Sequence, residues 1–286
     1  MAIRVFPRVI LFAAVVSVAA GAQMAPTQIA FMSGGGSADV APALSLVSHI
    51  RHSEAPLPTP VTLPRMAPEL ALEVYQHRSA RQARELGSYS AVTVVDANLP
   101  DLKQSAEFEL NRHYVAPTTL QFSAVHFSGD TFVKTNVITR LLQSEVDHLQ
   151  KDSSQTALDN KNYKFSYKGT ERVGGRTWHV FQLKPRAKRP GLFKGRMYVD
   201  AFSGSLARVE GRMVKSPSLF VKDINFSQDY ADIGNFTFPV HIHSEAKARL
   251  IGRVVVDMTH RDYRPSRGFL EQASEGPNSV VSSVSR

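Results

Sequence analysis

Ten histidines, no cysteine and one dense run of cations are the parts of this 286-residue chain with which chemistry could be done. His241 and His243 stand two apart, as neighbours on one face of a strand would, and Glu245 continues the line, so three metal-ligating residue types fall in a row. Alternate strand positions lie about 6 to 7 Å apart, so three of them converge on one ion only with a donor from another strand, such as His260. The pattern is read as hydrogen-bonded histidines in a strand of mixed exposure, with no metal and no cofactor. Serines are plentiful, but no Gly-x-Ser-x-Gly elbow occurs, and Ser216-Pro217-Ser218 reads as a turn. Thiol chemistry is absent and no carboxylate pair stands out, so no catalytic residue is assigned. A binding protein is expected rather than an enzyme.

The cations point to the chemistry that the surface of such a protein would bind: anions. Between Glu171 and Asp200 stand Arg172, Arg176, Lys184, Arg186, Lys188, Arg189, Lys194 and Arg196 with no acid among them. Lys184-Pro185-Arg186-Ala187-Lys188-Arg189-Pro190-Gly191 has the prolines and glycine of a loop. Each cation near an anionic bilayer is worth about 1 kcal/mol, so Lys184, Arg186, Lys188 and Arg189 together would give a transient hold on a membrane. Leu192 and Phe193 beside them would dip into the interface. The alternative is a hairpin whose charge only solubilises it. Nucleic acid is a poor partner, because no aromatic and basic base-reading motif accompanies the charge.

These residues need elements to carry them. In Tyr163-Lys164-Phe165-Ser166-Tyr167-Lys168 the aromatics occupy every second position, which places them on one face of a strand. Gly174-Gly175 then supplies a tight turn. Thr177 to Leu183, Gly195 to Asp200, Ser205 to Val214, Val221 to Tyr230, Phe236 to Ala246 and Arg249 to Tyr263 complete seven strands of one antiparallel meander. Upstream, Tyr89 to Ala97, Ser105 to Val115 and Leu120 to Phe127 are three more. A first helix opens at Pro68 and closes near Gly87, with Leu70, Val74 and His77 on one side and Arg78, Arg81 and Arg84 on the other. A second runs from Thr131 to Gln150, where Val133, Val137, Leu141, Leu142, Val146 and Leu149 form an apolar stripe.

The flanks read differently. Arg4 and Arg8, the apolar run Val9 to Ala20 and Ala20-Gly21-Ala22 make an export signal over 1–22, cleaved after Ala22, and imply a periplasmic protein. A retained anchor is the alternative. A Pro, Gly and Ser-rich segment, 23–68, is expected to be flexible, a folded domain spans 69–266, and a serine-rich tail, 267–286, is expected to be disordered. The formal charge is +9, and loss of the two leader arginines leaves 32 basic against 25 acidic residues. That balance favours anionic partners.

The order helix, three strands, helix, seven strands resembles the periplasmic outer-membrane lipoprotein carriers (LolA-like), the lipoprotein acceptor and the related sigma-factor regulator. The strings that carry it are Phe108-Glu109-Leu110-Asn111-Arg112-His113-Tyr114-Val115-Ala116-Pro117, Tyr167-Lys168-Gly169, Trp178-His179-Val180-Phe181-Gln182-Leu183-Lys184-Pro185 and Tyr198-Val199-Asp200 with Gly204 and Arg208-Val209-Glu210-Gly211. The resemblance implies a mainly β fold: a strongly curved, incompletely closed antiparallel sheet, a half-barrel of about 10 to 11 strands, with helices covering the concave face and an apolar hollow for acyl chains. It also implies a lid-holding arginine just before the proline of an early turn. Here Ala116 precedes Pro117, and the nearest replacement is Arg112.

Physical chemistry leads to a similar expectation. A sheet of about ten strands curls, and one that does not close leaves a concave face needing apolar cover. The Thr131 to Gln150 stripe, facing Phe122, is the expected cover and ligand-cavity wall. Lipid or lipoprotein acyl chains are the expected ligand, since a sixteen-carbon chain would gain roughly 12 kcal/mol on burial. Two alternatives stay open: the stripe closes a permanent core, and the same fold serves as an envelope sensor or scaffold binding a protein partner.

Overall fold

The computed structural model describes residues 64–150, 153–216 and 221–268. The expected leader, almost all of the flexible segment and the tail after Gly268 lie outside the described residues. Helix α1 (Pro68–Glu85) begins with proline at its first position, where no backbone N–H is needed. Three strands follow: β1 (Leu86–Leu99), β2 (Gln104–Val115) and β3 (Thr119–Gly129). A helical run over 131–150 comes next, built from α2 (Thr131–Val133), a π-helical turn (Lys134–Ile138) and α3 (Thr139–Gln150). The meander then supplies β4 (Tyr163–Val173), β5 (Arg176–Pro185), β6 (Phe193–Asp200), β7 (Leu206–Met213), β8 (Val221–Ile233), β9 (Phe236–Ala248) and β10 (Gly252–Arg267).

All ten strands form one antiparallel sheet in the order β3-β2-β1-β10-β9-β8-β7-β6-β5-β4. The sequence-based count of ten strands and the incompletely closed sheet are what the structure has, so the upper figure of eleven is not reached among the described residues. The ends of the domain meet in the middle of the sheet, where β1 pairs β10 from Leu86↔Arg267 to Asn98↔Val255. Arg267, assigned to the tail from the sequence, thus closes the last strand. The free edges are β3 and β4, and the helical run joins one to the other. It packs on β1, β2 and β3.

Period-two alternation decides the two faces. On β8, Ile224, Phe226, Gln228 and Tyr230 are buried, while Asn225 and its alternates look outward. Cross-strand partners line up into rows on the inner face, one of which passes from Met258 through Ile242, Gln228 and Val209 to Met197. The buried residues of these rows and of the helices form one core cluster. The Gly-Gly turn expected after β4 is present, with φ of 55° at Gly174 and 79° at Gly175, values any side chain would resist.

The outer face is polar and self-compensated. A chain of ion pairs crosses it from Glu171 through Arg196, Glu210 and Arg208 to Asp229, and imidazole–carboxylate contacts continue it through His241 and Asp257 to His243. One face in water and one against helices is the ordinary arrangement for an antiparallel sheet.

Candidate functional site

The inner face gathers polar groups at one place, where α3 crosses β2. Arg112 lies on the inward register of β2, and its side chain is 4% exposed. Its Nη1 donates to Glu145 Oε2 of α3 at 2.8 Å, its Nε donates to Tyr89 Oη at 3.0 Å, and its guanidinium lies 5.5 Å from the centre of the Phe122 ring. Glu145 follows Leu141 by one helical turn, so it occupies a position of the apolar stripe and is itself buried. Its Oε1 has no partner among the described residues. Burial works against the Arg112 charge, yet Glu145, Tyr89 and Tyr263 more than restore it and hold its pKa above the usual arginine value.

His260 stands close by. Its Nδ1 and Thr93 Oγ1 are 2.9 Å apart across the β1–β10 pair, and its Nε2 is unpartnered among the described residues. Burial and then the nearby Arg112 charge push its pKa well below the ordinary histidine value, so the ring is neutral. It therefore faces the opposite side of the sheet from His241 and His243 and is no third donor for them. Among the described residues no three His, Cys, Asp or Glu side chains gather as metal ligands.

The expected cavity and lid residues fall into place unevenly. Val133, Val137, Leu141 and Leu142 are buried in the core cluster, together with Ile138, which sequence reading left out. Val146, Leu149 and Phe122 are half-buried. In this conformation the helical stripe itself fills the concave face opposite β1, β2 and β3. The run is fastened at both ends. Asp130 caps its start by accepting from Phe132 N at 2.7 Å, and Lys134 sits over the Phe127 and Phe108 rings at 4.3 and 4.9 Å. After it, Asn162 donates to Ser154 O and Ala157 O.

The basic loop between β5 and β6 corrects part of the membrane-contact expectation. Arg186 donates to Asn160 O at 2.9 Å, and Arg189 donates to Gln155 O at 2.7 Å and to the Asn162 side chain. These two arginines tie down the segment that leads from the helix into β4; Arg189 is half-buried, while Lys184, Arg186 and Lys188 stay exposed. Phe193 is no membrane contact. As the first inward position of β6 it is 0% exposed, and its ring packs on Tyr163 and Phe226. Gly211 leaves the space, since a Cβ there would come within 2.8 Å of that ring. Helix α1 is likewise turned by one residue: Ala71, Tyr75 and Ser79 face inward, not Leu70, Val74 and His77. Arg78 to Asp232 and Gln82 to the Thr237 backbone fix that rotation.

Of the missed residues, Glu145 had a signal in the sequence, a carboxylate at an i+4 position of an apolar stripe. Gln228 had one too, as an inward register position of β8. It is 0% exposed and neither end of its amide has a partner among the described residues. Such a burial costs on the order of 1–3 kcal/mol.

Neither a family model nor a curated protein sequence matches the chain. Solved structures do. A putative outer membrane lipoprotein-sorting protein domain from Vibrio parahaemolyticus is similar at 13% identity and TM-score 0.38, over 73% of this chain and 97% of that one. A LolA superfamily protein from Nitrosomonas europaea is similar at 11% identity and TM-score 0.36, over 72% and 96%. The MucA/MucB complex of Pseudomonas aeruginosa is matched at 11% identity and TM-score 0.23, over 68% and 99%.

Proposed function

We propose that this chain is a periplasmic binding or carrier protein for an acyl-bearing ligand, and that the 131–150 helical run is a lid held by Arg112. The observation that carries the reading is the buried Arg112–Glu145 pair between sheet and helix. A buried ion pair is a poor way to stabilise a core, because apolar residues of similar volume do as well or better. It is a good way to specify one seating of a helix that must also leave. Withdrawal would expose the inner rows of the sheet, whose valines, methionines and phenylalanines suit hydrocarbon. Acyl chains from a lipid or lipoprotein would then replace the stripe of the helix. Lys184 and Lys188, with the exposed Arg186 between them, supply charge for transient contact with an anionic membrane.

The test is purification from the native host, followed by lipid extraction and mass spectrometry. Recovery of stoichiometric acyl lipid supports the reading. Protein that is consistently empty, and that takes up no fluorescent fatty-acid analogue, refutes it.

One observation favours a second reading, a module that binds an extended segment of a protein partner. Edge strand β3 carries no lysine, arginine or proline, and Val125, the extra residue of its one bulge opposite Glu109/Leu110, is 53% exposed, whereas edge β4 has Lys164, Lys168, Arg172 and a bulge at Tyr167/Gly169. An edge without cations or proline accepts another strand more readily than one that carries them. Val125→Lys would abolish such a complex and leave lipid uptake unchanged.

A further inference from the structure

The concave face has one feature that a hydrocarbon ligand alone does not explain. In the inner row running through Met258, Ile242, Gln228, Val209 and Met197, four members are apolar and one is a primary amide. All five are 0% exposed. The Gln228 Nε2 and Oε1 both lack a partner among the described residues, and so does the hydroxyl of Tyr230, the next inward residue of β8. Tyr263, by contrast, donates to Pro239 O at 2.7 Å, so its polar end is provided for within the fold.

Leucine or methionine would fill position 228 without stranding two polar atoms, and the register of β8 leaves no outward alternative. A buried polar group without a partner in a folded protein points to a partner that comes and goes. The amide offers two N–H donors and an acceptor oxygen, and the Tyr230 hydroxyl offers a further donor or acceptor. Together they match the linkage of an acyl chain: a carbonyl to accept, and in an amide linkage an N–H to donate.

We propose that Gln228, with Tyr230, is the polar station of the ligand site and selects acyl chains joined through an amide. The inference rests on the carrier reading and deepens it by naming the linkage. Nε2 of Gln228 donates to the acyl carbonyl, Oε1 accepts from the linkage N–H, and the chain lies along the flanking Ile242, Val209 and methionine side chains. An ester offers only the carbonyl, and an ether neither strong acceptor nor donor, so the order of preference is amide, ester, ether.

The experiment uses the full chain and three fluorescent probes with the same alkyl chain, joined through an amide, an ester or an ether. Wild type is expected to bind the amide probe about tenfold tighter than the ester probe, and the ester probe about tenfold tighter than the ether probe, each step the increment of one hydrogen bond to a buried group. Gln228→Leu should keep no more than the preference of about threefold that Tyr230 supplies, hold the ether probe at least as well as wild type, and unfold at a higher urea concentration. Tyr230→Phe should lose that smaller part alone. Retention of the full amide preference by Gln228→Leu, or a lower urea midpoint for that variant, overturns the assignment, since the amide would then be a structural group. If wild type binds the ether probe but ranks all three equally, this inference alone fails. If it binds none of them, the carrier reading fails and takes this inference with it.

Discussion

The pair between Arg112 and Glu145 makes the sharpest prediction. Both side chains are almost wholly buried, 4% and 5% exposed, and their contact is 2.8 Å. Arg112→Met leaves the Glu145 carboxylate in an apolar surround with both oxygens unpartnered, and Glu145→Leu strands the guanidinium with only Tyr89 and the Phe122 ring. Each single change is expected to cost about 3–5 kcal/mol, the range for removing one partner of a buried pair. The double variant restores an all-apolar contact and should return to wild-type stability or exceed it by about 1–4 kcal/mol. Urea unfolding of the four proteins then gives a coupling energy of about 3 kcal/mol or more. The same set reports on the lid. Each single variant should lose hydrogen-exchange protection over 139–149 and take up a fatty-acid analogue faster than wild type, while the double variant should regain protection and take it up more slowly. Single effects that add within about 0.5 kcal/mol, or uptake that is alike in all four proteins, would refute the latch.

Other predictions follow from the same geometry. His260 is neutral in the folded protein and titrates near 6.5 when unfolded, so the unfolded chain binds the extra proton and stability falls as pH drops below about 6.5, by up to about 1.4 kcal/mol per pH unit. The difference in thermal midpoint between wild type and His260→Gln, measured from pH 7.5 to 5.0, should carry that slope. A flat difference would place the histidine in contact with water. The basic loop should split in two. Lys184→Gln with Lys188→Gln should weaken binding to anionic liposomes without changing stability, while Arg186→Met with Arg189→Met should lower stability by about 1–3 kcal/mol in urea unfolding. Phe193→Ala should cost about 3–5 kcal/mol in the same assay and leave liposome binding unaltered in folded protein, the opposite of what an interfacial anchor would do.

The strands were legible because each is written locally. Aromatics at Tyr163, Phe165 and Tyr167, or the alternation through β2, repeat at the period of an extended chain, and a residue needs only its own neighbours to show this. The helical run over 131–150 was legible for the same reason. Burial of Phe193 was not, because its adjacency to the basic loop suggested the surface, whereas the register of β6 and the space left at Gly211 on the next strand set its direction. The one-residue turn of α1 was decided by its contacts to Asp232 and Thr237, more than 150 positions away. Arg112 is legible as the nearest replacement for an arginine before Pro117, but its partner Glu145 is not, because only the seating of the helix on the sheet brings the two together.

By itself, then, the sequence determined the kind, number and order of the elements, the alternation that gives the sheet one wet and one dry face, and an apolar stripe for the helix. Only the tertiary structure decided that β1 pairs with β10, so that the free edges are β3 and β4, and that the helix packs over β1, β2 and β3. It also decided that Gln228 stands alone among apolar neighbours and that His260 faces away from the other strand histidines. The reason is physical: periodicity is a property of contiguous residues, whereas pairing and packing join groups far apart in the chain, whose meeting is selected by the energy of the whole core.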